Sequence, residues 1–260
     1  MFNIIFCNSP IIFNDLLMEP TSIKSYLEEL STTADRILLL QGPIGTFFSD
    51  FADWLHQQCG KTVFKLNFNA GDELCFPATK PNTFAYTDTF QAFPDFLSAF
   101  IREHRIEAVV CFGDTRPYHI AAKSVVHALG NVSFWAFEEG YFRPYFVTLE
   151  KSGVNAYSPL PRDARFFADA YPRLSRQSYQ DPAPVPAGFL PVAKQAIRYY
   201  VAARLHQRRY PHYIHHRINH IGHYVKLWTL SGLKRVNYVL EDRHFAHQVK
   251  SGKYGKFFIL

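Results

Sequence analysis

Cysteines are few in this sequence, and the signals for export and membrane insertion are missing. The 260 residues contain four cysteines with no paired spacing, which are Cys7, Cys59, Cys75 and Cys111. This pattern excludes a zinc motif of paired ligands and a dense disulfide framework, and it favours a reducing cytoplasm. Residues 1–20 carry no Lys or Arg, which argues against a secretion signal. No uninterrupted apolar run reaches about 18 residues, so no membrane span is predicted.

Acidic residues are also scarce, but only in the last quarter of the chain. Residues 1–185 hold 15 Lys/Arg and 20 Asp/Glu, a net charge of −5, whereas residues 186–260 hold 13 Lys/Arg and 2 Asp/Glu, a net charge of +11. The two values add to the total of +6. The sequence therefore predicts a basic module after a mildly acidic domain. Anionic lipid, nucleic acid or an acidic substrate could each bind to its positive charge.

Apolar and aromatic residues are abundant. Hydrophobic residues make up 48% of the chain and charged residues 19%, a balance typical of a globular protein. Aromatic residues reach 17%, and this content suits large cores, sugar platforms or membrane interfaces without distinguishing among them.

Strand-like and helix-like segments alternate through the first half of the chain. Strands are predicted at 36–41, 62–68, 107–112 and 131–137, and helices at 47–59, 93–104 and 118–129. A strand, a glycine-bearing loop, a helix and a second strand form the opening of a Rossmann-like domain. The predicted fold class is therefore α/β with a parallel sheet.

Breaks in the pattern suggest five regions. They are a lead-in at 1–35, a Rossmann-like domain at 36–174, a Pro-rich linker at 175–191, a basic aromatic helical segment at 192–255, and the start of a buried strand at 256–260. A short helix is expected at 22–30. A long, turn-rich loop is expected at 67–92, where it could cover the site.

The loop QGPIG follows the first predicted strand. Gln41, Gly42 and Gly45 are candidate substrate-binding residues, because amide groups at the start of a helix can approach an anion. The loop lacks the pattern GxGxxG, so it does not predict a dinucleotide site. A tight turn that requires glycine is the open alternative.

The motif GDTRPYH follows the third predicted strand and supplies three more candidates. Arg116 can hold a carboxylate or phosphate with two hydrogen bonds. His119 could act as an acid or base near neutral pH, and Asp114 could orient either residue. In the alternative interpretation, Asp114 is a helix cap and His119 an ordinary first-turn residue.

Glu138 and Glu139 follow the fourth predicted strand. Ligands of open α/β sheets bind outside the carboxyl ends of the strands, so the pair is a candidate for acid–base catalysis. Arg143 could hold an anion beside the pair, and Asn155 could line the same cleft. A solvated acidic loop is the alternative.

Arginines and histidines crowd the basic segment. We expect Arg204, Arg208 and Arg209, which lie among tyrosines, to bind a membrane surface. The histidines are His206, His212, His215, His216, His220 and His223. Some share the spacing of one helix face, but no cysteine or acidic residue lies nearby to complete a site, so no metal is predicted.

Five ordered motifs resemble one known family. They are LLLQGPIGTFF (38–48), FKLNFNAGDELCFP (64–77), FGDTRPYH (112–119), FEEGYFRPYFVTLE (137–150) and GVNAYSPLPRD (153–163). Over roughly residues 36–260 the sequence resembles the KpsS-type capsule polysaccharide export or modification proteins. The resemblance implies the N-terminal half of a GT-B glycosyltransferase, which transfers Kdo from CMP-Kdo, with retention and in β linkage, to phosphatidylglycerol or its lyso form.

The resemblance also implies a setting. It places the protein in the cytoplasm, peripheral to the inner membrane, with phosphatidylglycerol, the membrane surface and other capsule assembly proteins as candidate partners. No cofactor is expected beside the donor substrate CMP-Kdo. No nucleic-acid partner is expected either, because no recognisable nucleic-acid motif accompanies the basic segment.

Residue roles follow as expectations. Glu138 and Glu139 would move a proton or fix the acceptor hydroxyl, Arg116 and Arg143 would hold the Kdo carboxylate or the lipid phosphate, and Asp114 and His119 would position these groups. In the family a catalytic Asp and a nucleotide-binding domain follow the strand at 256–260, so the chain is expected to be the acceptor-side half and inactive alone. The alternative is a non-enzymatic membrane-docking or scaffold module of capsule assembly.

Overall fold

The computed structural model describes residues 2–3, 25–140, 146–174, 189–216 and 221–252. The chain forms two compact units, Met1–Ile214 and His215–Leu260. The boundary between the units follows Ile214. Residues 192–214 of the predicted basic segment therefore belong to the unit that contains the sheet. The Pro-rich stretch 175–188 and the predicted strand at 256–260 lie outside the described residues.

The first unit is built on a mostly parallel sheet. Its strands are β1 (Phe2–Asn3), β2 (Arg36–Leu39), β3 (Thr62–Asn67), β4 (Thr83–Ala85), β5 (Ala108–Phe112), β6 (Ser133–Glu139) and β7 (Phe146–Lys151). Their order is β1-β7-β6-β5-β2-β3-β4, and the five strands from β4 to β6 are parallel. Strands β7 and β1 add antiparallel pairs at one edge. The α/β prediction is confirmed.

The strand order places a topological switch point between β2 and β5. The chain leaves β2 towards β3 and β4 on one side, and it returns to β5 and β6 on the other. Loops that leave β2 and β5 therefore diverge to opposite sides and open a crevice at the carboxyl edge of the sheet. This crevice is where a Rossmann-like fold binds its ligand.

Helices cover both faces of the sheet. They are α1 (Tyr26–Thr33), α2 (Phe47–Gln57), α3 (Ala70–Cys75), α4 (Phe93–Glu103), α5 (Pro117–Leu129), α6 (Ala164–Leu174) and α7 (Phe189–Leu205), with α8 (Ile221–Lys250) in the second unit. Local side-chain and backbone interactions explain where two of these helices begin or end. The Ser25 hydroxyl accepts from the Glu28 amide at 3.1 Å to cap α1, and Gly130 ends α5 with a φ of 74°.

Two hydrophobic cores separate because successive strand residues face opposite sides. On one face α1 and α2 pack against side chains that include Ile37, Leu39, Trp135 and Phe137. On the other, α4 and α5 pack against side chains that include Leu38, Val109, Phe134 and Ala136. Rings supply much of the first core: Phe137 meets Phe47 and Phe51 edge to face at centroid distances of 5.2 and 5.1 Å.

The structure corrects several expected elements. The predicted loop at 67–92 contains α3 and β4. Asn69 starts α3, because its side-chain oxygen accepts from the Asp72 amide at 3.0 Å. Strand β6 continues through Glu139, so both glutamates lie in the strand rather than after it. The predicted helix at 22–30 begins at Tyr26 within the described residues.

The second unit consists mainly of α8, a helix of 30 residues. Apolar side chains are exposed on all its sides, and they include Trp228, Leu233, Val236 and Leu240. No helix in the described ranges is both long and apolar enough to cross a membrane.

Candidate functional site

The carboxyl ends of β2, β5 and β6 meet at the switch point through backbone hydrogen bonds. The Phe112 amide donates to the Gln41 carbonyl at 3.2 Å, and the Gly113 amide donates to the Phe137 carbonyl at 2.7 Å. These bonds extend the pairing beyond the regular ladder. They bring the QGPIG loop, the GDTRPYH loop and the end of β6 to one edge of the sheet.

Arg116 and Glu138 converge over Gly113. A Cβ atom at Gly113 would lie 3.7 Å from Glu138 Oε2 and 3.9 Å from Arg116 Nε. Gly113 has a φ of 73°, which favours glycine. Arg116 Nη1 also donates to the Gly42 carbonyl at 3.1 Å, so the guanidinium is fixed between the β2 and β5 loops. The guanidinium of Arg116 and the carboxylate of Glu138 thus lie beside the backbone of Gly113, which carries no side chain.

The two adjacent glutamates belong to different faces of the sheet. Successive side chains of a strand alternate, so Glu138 shares a face with Phe134 and Ala136, and Glu139 shares one with Trp135 and Phe137. Glu138 is half-buried and Glu139 is exposed. Glu138 is therefore the member of the pair that shares a location with Arg116.

Asp114 and His119 are buried and bound to backbone groups. Asp114 Oδ2 accepts from the Val154 amide at 3.0 Å, and His119 Nδ1 lies 2.5 Å from the Gly113 carbonyl oxygen. His119 is 0% exposed. These contacts shape the loop that carries Arg116. Their roles in catalysis stay predictions.

Of the two remaining candidate residues, Asn155 is described by the structure and Arg143 is not. Asn155 is exposed and adopts a φ of 54° at the start of a 3₁₀ helix that follows Val154. It is therefore close in the chain to the amide that binds Asp114. Arg143 lies outside the described residues.

Gln41 is buried in a polar network rather than presented to solvent. Its Nε2 atom lies 3.0 Å from Asp72 Oδ1, 2.9 Å from the Tyr213 hydroxyl and 3.2 Å from the Tyr199 hydroxyl. The Tyr199 hydroxyl donates to Asp72 Oδ1 at 2.8 Å and accepts from Asn69 Nδ2 at 3.0 Å. Burial, with the charge of Asp72 second, raises the pKa of Tyr199 well above its usual value.

Sequence reasoning missed this network. The segment NAGD carried a detectable signal, because Asn69 follows a strand and precedes Asp72 by three positions, a spacing typical of a helix start. Gly71 carried none: a Cβ atom there would lie 2.7 Å from the Tyr199 ring, so the glycine is needed for α7 to pack on α3.

The three arginines predicted to bind membrane differ in their contacts. Arg209 pairs with Glu73 of α3 at 3.0 Å, and the Tyr210 hydroxyl donates to the same carboxylate at 2.6 Å. Arg204 is exposed and hydrogen-bonded to Gln207. Arg208 is exposed. The pairing with Glu73 helps to fix residues 207–210 on the first unit.

No group of three or more His, Cys, Asp or Glu side chains within the described ranges is placed to hold a metal ion. Part of the histidine-rich stretch, residues 217–220, lies outside those ranges. The expectation of no metal therefore stays a prediction.

The fold and the carboxyl-edge residues define a Rossmann-like α/β protein with a polar site at the topological switch point. The sequence matches the family described as "Capsule polysaccharide biosynthesis protein" over residues 107–260. The chain belongs to this family.

Curated relatives share the capsule description. The chain is 56% identical over 243 residues to "Capsule polysaccharide modification protein LipB" from Neisseria meningitidis serogroup B, and equally to that of serogroup A. It is 35% identical over 212 residues to "Capsule polysaccharide export protein KpsS" of Escherichia coli. These matches cover 94%, 94% and 80% of this chain, but 58%, 58% and 51% of the relatives. No solved structure matches.

Proposed function

We propose that this chain forms the acceptor-side half of a capsule-initiating glycosyltransferase. The reaction transfers Kdo from CMP-Kdo, in β linkage and with retention, to phosphatidylglycerol or its lyso form. One observation carries the proposal: Arg116 and Glu138 meet over Gly113 at the switch point in a member of the capsule polysaccharide biosynthesis family.

The chemistry of the two side chains fits such a transfer. The guanidinium of Arg116 can hold the carboxylate of Kdo or the phosphate of the lipid. The carboxylate of Glu138 can accept the proton of the acceptor hydroxyl. Asp114 and His119 act through the loop that carries Arg116, as positioning residues. Glu139 and Arg143 are further candidates for proton transfer and anion binding.

Donor binding is assigned to another part of a longer protein. The aligned region spans 58% of the meningococcal relatives, and we assign CMP-Kdo to the remainder of a protein of that length. A two-domain glycosyltransferase binds its two substrates from facing domains, so the half described above is expected to need its counterpart for turnover.

A chimera tests this division. The aligned residues of this chain replace the matched region of meningococcal LipB, and the product is assayed by mass spectrometry after incubation with CMP-Kdo and phosphatidylglycerol. We expect a Kdo-lipid from LipB and from the chimera, and none from the 260-residue chain. Product from the chain alone would contradict the division between two halves. No product from LipB would contradict the Kdo reaction itself.

A non-enzymatic membrane-docking module is the second candidate, favoured by the exposed arginines and by the exposed apolar residues of α8. Basic residues near an anionic leaflet contribute about 1 kcal/mol each. The chain should therefore float with phosphatidylglycerol vesicles, weakly with phosphatidylcholine vesicles, and less as salt rises. Such binding fits a location in the cytoplasm at the inner membrane.

Three comparisons give the docking test its controls. Alanine at Arg204, Arg208 and Arg209 together should weaken flotation. Nonspecific DNA offered in a mobility shift should bind more weakly than the vesicles. Equal binding to neutral and anionic vesicles, insensitive to salt, would contradict the electrostatic account.

A further inference from the structure

The strongest unexplained feature of the first unit is a buried lysine beside a small cavity. Lys65 lies in β3 and is 2% exposed. The cavity has a volume of about 10 Å³, which is room for about one water molecule. Its lining is formed by Gly42, Pro43, Gly45, Phe48, Lys65, Asp72, Cys75 and Phe76. It therefore lies under the QGPIG loop at the switch point.

The ammonium group of Lys65 has one hydrogen-bond acceptor among the described residues. Its Nζ atom donates to the Leu66 carbonyl at 2.6 Å and lies 5.8 Å from the centre of the Phe76 ring. Within the described residues it forms no ion pair with a carboxylate. An ammonium group has three donor hydrogens, and buried charges are ordinarily paired.

Asp72 does not supply a direct partner. Its Oδ1 atom is engaged by Gln41 and Tyr199, and its Oδ2 atom accepts from the Phe68 amide at 3.0 Å. These donors are neutral, and they hold the carboxylate on the side of the tyrosine network. The cavity thus has a cation on its wall and a carboxylate that is already hydrogen-bonded elsewhere.

One other donor at the cavity is also weakly satisfied. The Gly45 amide donates to the sulfur of Cys75 at 3.2 Å, and a thiol is a weak acceptor. Arg116 holds the carbonyl of Gly42, which lines the cavity.

We propose that Lys65 and this cavity form a subsite for one anionic oxygen of a substrate phosphate or carboxylate group. The volume admits an oxygen-sized group, so the rest of the anion lies outside, towards Arg116. The oxygen would accept from Lys65 Nζ and from the Gly45 amide. The inference rests on the cavity and not on Kdo transfer, so anion binding can be tested without the reaction.

The pKa of Lys65 agrees with this assignment, and a second lysine supplies a control. Burial lowers the pKa of Lys65 to about 8, with the charge of Asp72 opposing the change and that of Arg116 adding to it. An anion that binds the ammonium form must raise this pKa, because opposite charges favour the charged state. Lys61, which directly precedes β3, is buried too but already pairs with Asp35 at 2.8 Å, so it is a matched control.

The test is an NMR titration of the 260-residue chain with ¹³C-labelled lysine. The ε-carbon signal of Lys65 is assigned by its loss in Lys65→Met. Its pKa is then measured in chloride, in inorganic phosphate and in acetate at equal ionic strength. We expect phosphate, acetate or both to raise the pKa by about one unit, which corresponds to about tenfold tighter binding to the charged form.

The two anions separate the possible sources, since phosphate alone indicates a phosphoryl oxygen and acetate alone a carboxylate. Lys61→Met should retain the effect. If Lys65→Met does not fold, acetylation of the wild-type chain followed by mass spectrometry gives the same answer, because a bound anion must slow modification of Lys65 relative to the other lysines. A pKa and an acetylation rate that do not respond to either anion would overturn the proposal.

Discussion

The two buried lysines of β3 and its amino-terminal flank are compensated differently, although Arg36 at the amino edge, like Arg116 at the carboxyl edge, donates to a backbone carbonyl. At the amino edge, Lys61 pairs with Asp35, and Glu107 Oε2 accepts from the amides of Asp35 and Arg36 at 2.5 and 3.3 Å. At the carboxyl edge, Lys65 donates to a backbone carbonyl. Arg116 does the same.

We interpret this difference as a division between charges that serve folding and charges that the proposed site would use. The salt bridge at the amino edge neutralises Lys61 within the fold, although a surface pair contributes only about 0–1 kcal/mol. Cations that point at carbonyls keep most of their charge available for another anion. Charges held in this way at a switch point are where a ligand is expected, and each of the following experiments alters one side of the comparison.

The largest effect should come from a carboxylate at the carboxyl edge. In the LipB chimera, Glu138→Gln should lower the rate of Kdo transfer by about 10²–10⁴-fold, because the group proposed to accept the proton is lost. Glu139→Gln should lower it less, since that side chain is on the other face of the sheet. The rates are measured by mass spectrometry of the Kdo-lipid.

Glu107→Gln at the amino edge is the control for this substitution, and it should leave the rate within a few-fold of the unaltered chimera. Equal losses in Glu138→Gln and Glu107→Gln would show that the two edges do not differ in function. Circular dichroism of each variant checks that the fold is retained.

The second effect concerns stability and pH. Because the pKa of Lys65 is about 8 in the fold against 10.5 in its ordinary state, the unfolded chain binds more protons between these values. Stability should therefore rise with pH through this window, by up to about 3 kcal/mol from this group. The gain should vanish in Lys65→Met and persist in Lys61→Met, as measured by urea unfolding from pH 7 to 10.

A third experiment disturbs the packing of Tyr199 against Gly71 at the carboxyl edge. Gly71→Ala would place a methyl group 2.7 Å from the Tyr199 ring, and overpacking of this kind costs about 1–3 kcal/mol. The midpoint of thermal unfolding should fall. Gly232→Ala is the control, because it lies in a helix and has no atom within 4 Å of the new methyl group. A similar fall in both would point to glycine content rather than to the contact.

The smallest effect distinguishes two neighbouring arginines. Arg208 is exposed, whereas Arg209 is paired with Glu73. Arg208→Ala should reduce partitioning into phosphatidylglycerol vesicles about fivefold, corresponding to about 1 kcal/mol. Arg209→Ala should reduce it less. The reverse order in a flotation assay would show that the Glu73 pair opens at the membrane.

Much of the fold was predictable because its signals are local. Apolar runs located β2, β3, β5 and β6, and the predicted helix at 118–129 matches α5, which ends before Gly130. Strand β7 was missed because its residues, Phe146–Lys151, mix apolar and polar side chains without a long run. Helix α3 was missed because six residues give too short a pattern.

The site was predictable only in part. Strand ends drew attention to Arg116, Glu138 and Gln41, since the carboxyl ends of parallel strands share one edge. The partners of Gln41 could not be inferred, because Tyr199 and Tyr213 lie 158 and 172 residues further along the chain. The same tyrosines were interpreted as interfacial from their basic surroundings, whereas the structure buries the Tyr199 side chain against Gly71.

The hydrogen bond between Tyr199 and Asp72 also sets an order of events during synthesis. The two residues are 127 positions apart, and at about 5–20 residues per second roughly 6 to 25 s pass between their translation. Strands β2 to β7 all precede residue 152 and can pair within that interval. The carboxyl edge is therefore the last part of the first unit to mature, and a ribosome that stalls before Tyr199 would hold a completed sheet whose Asp72 still faces water.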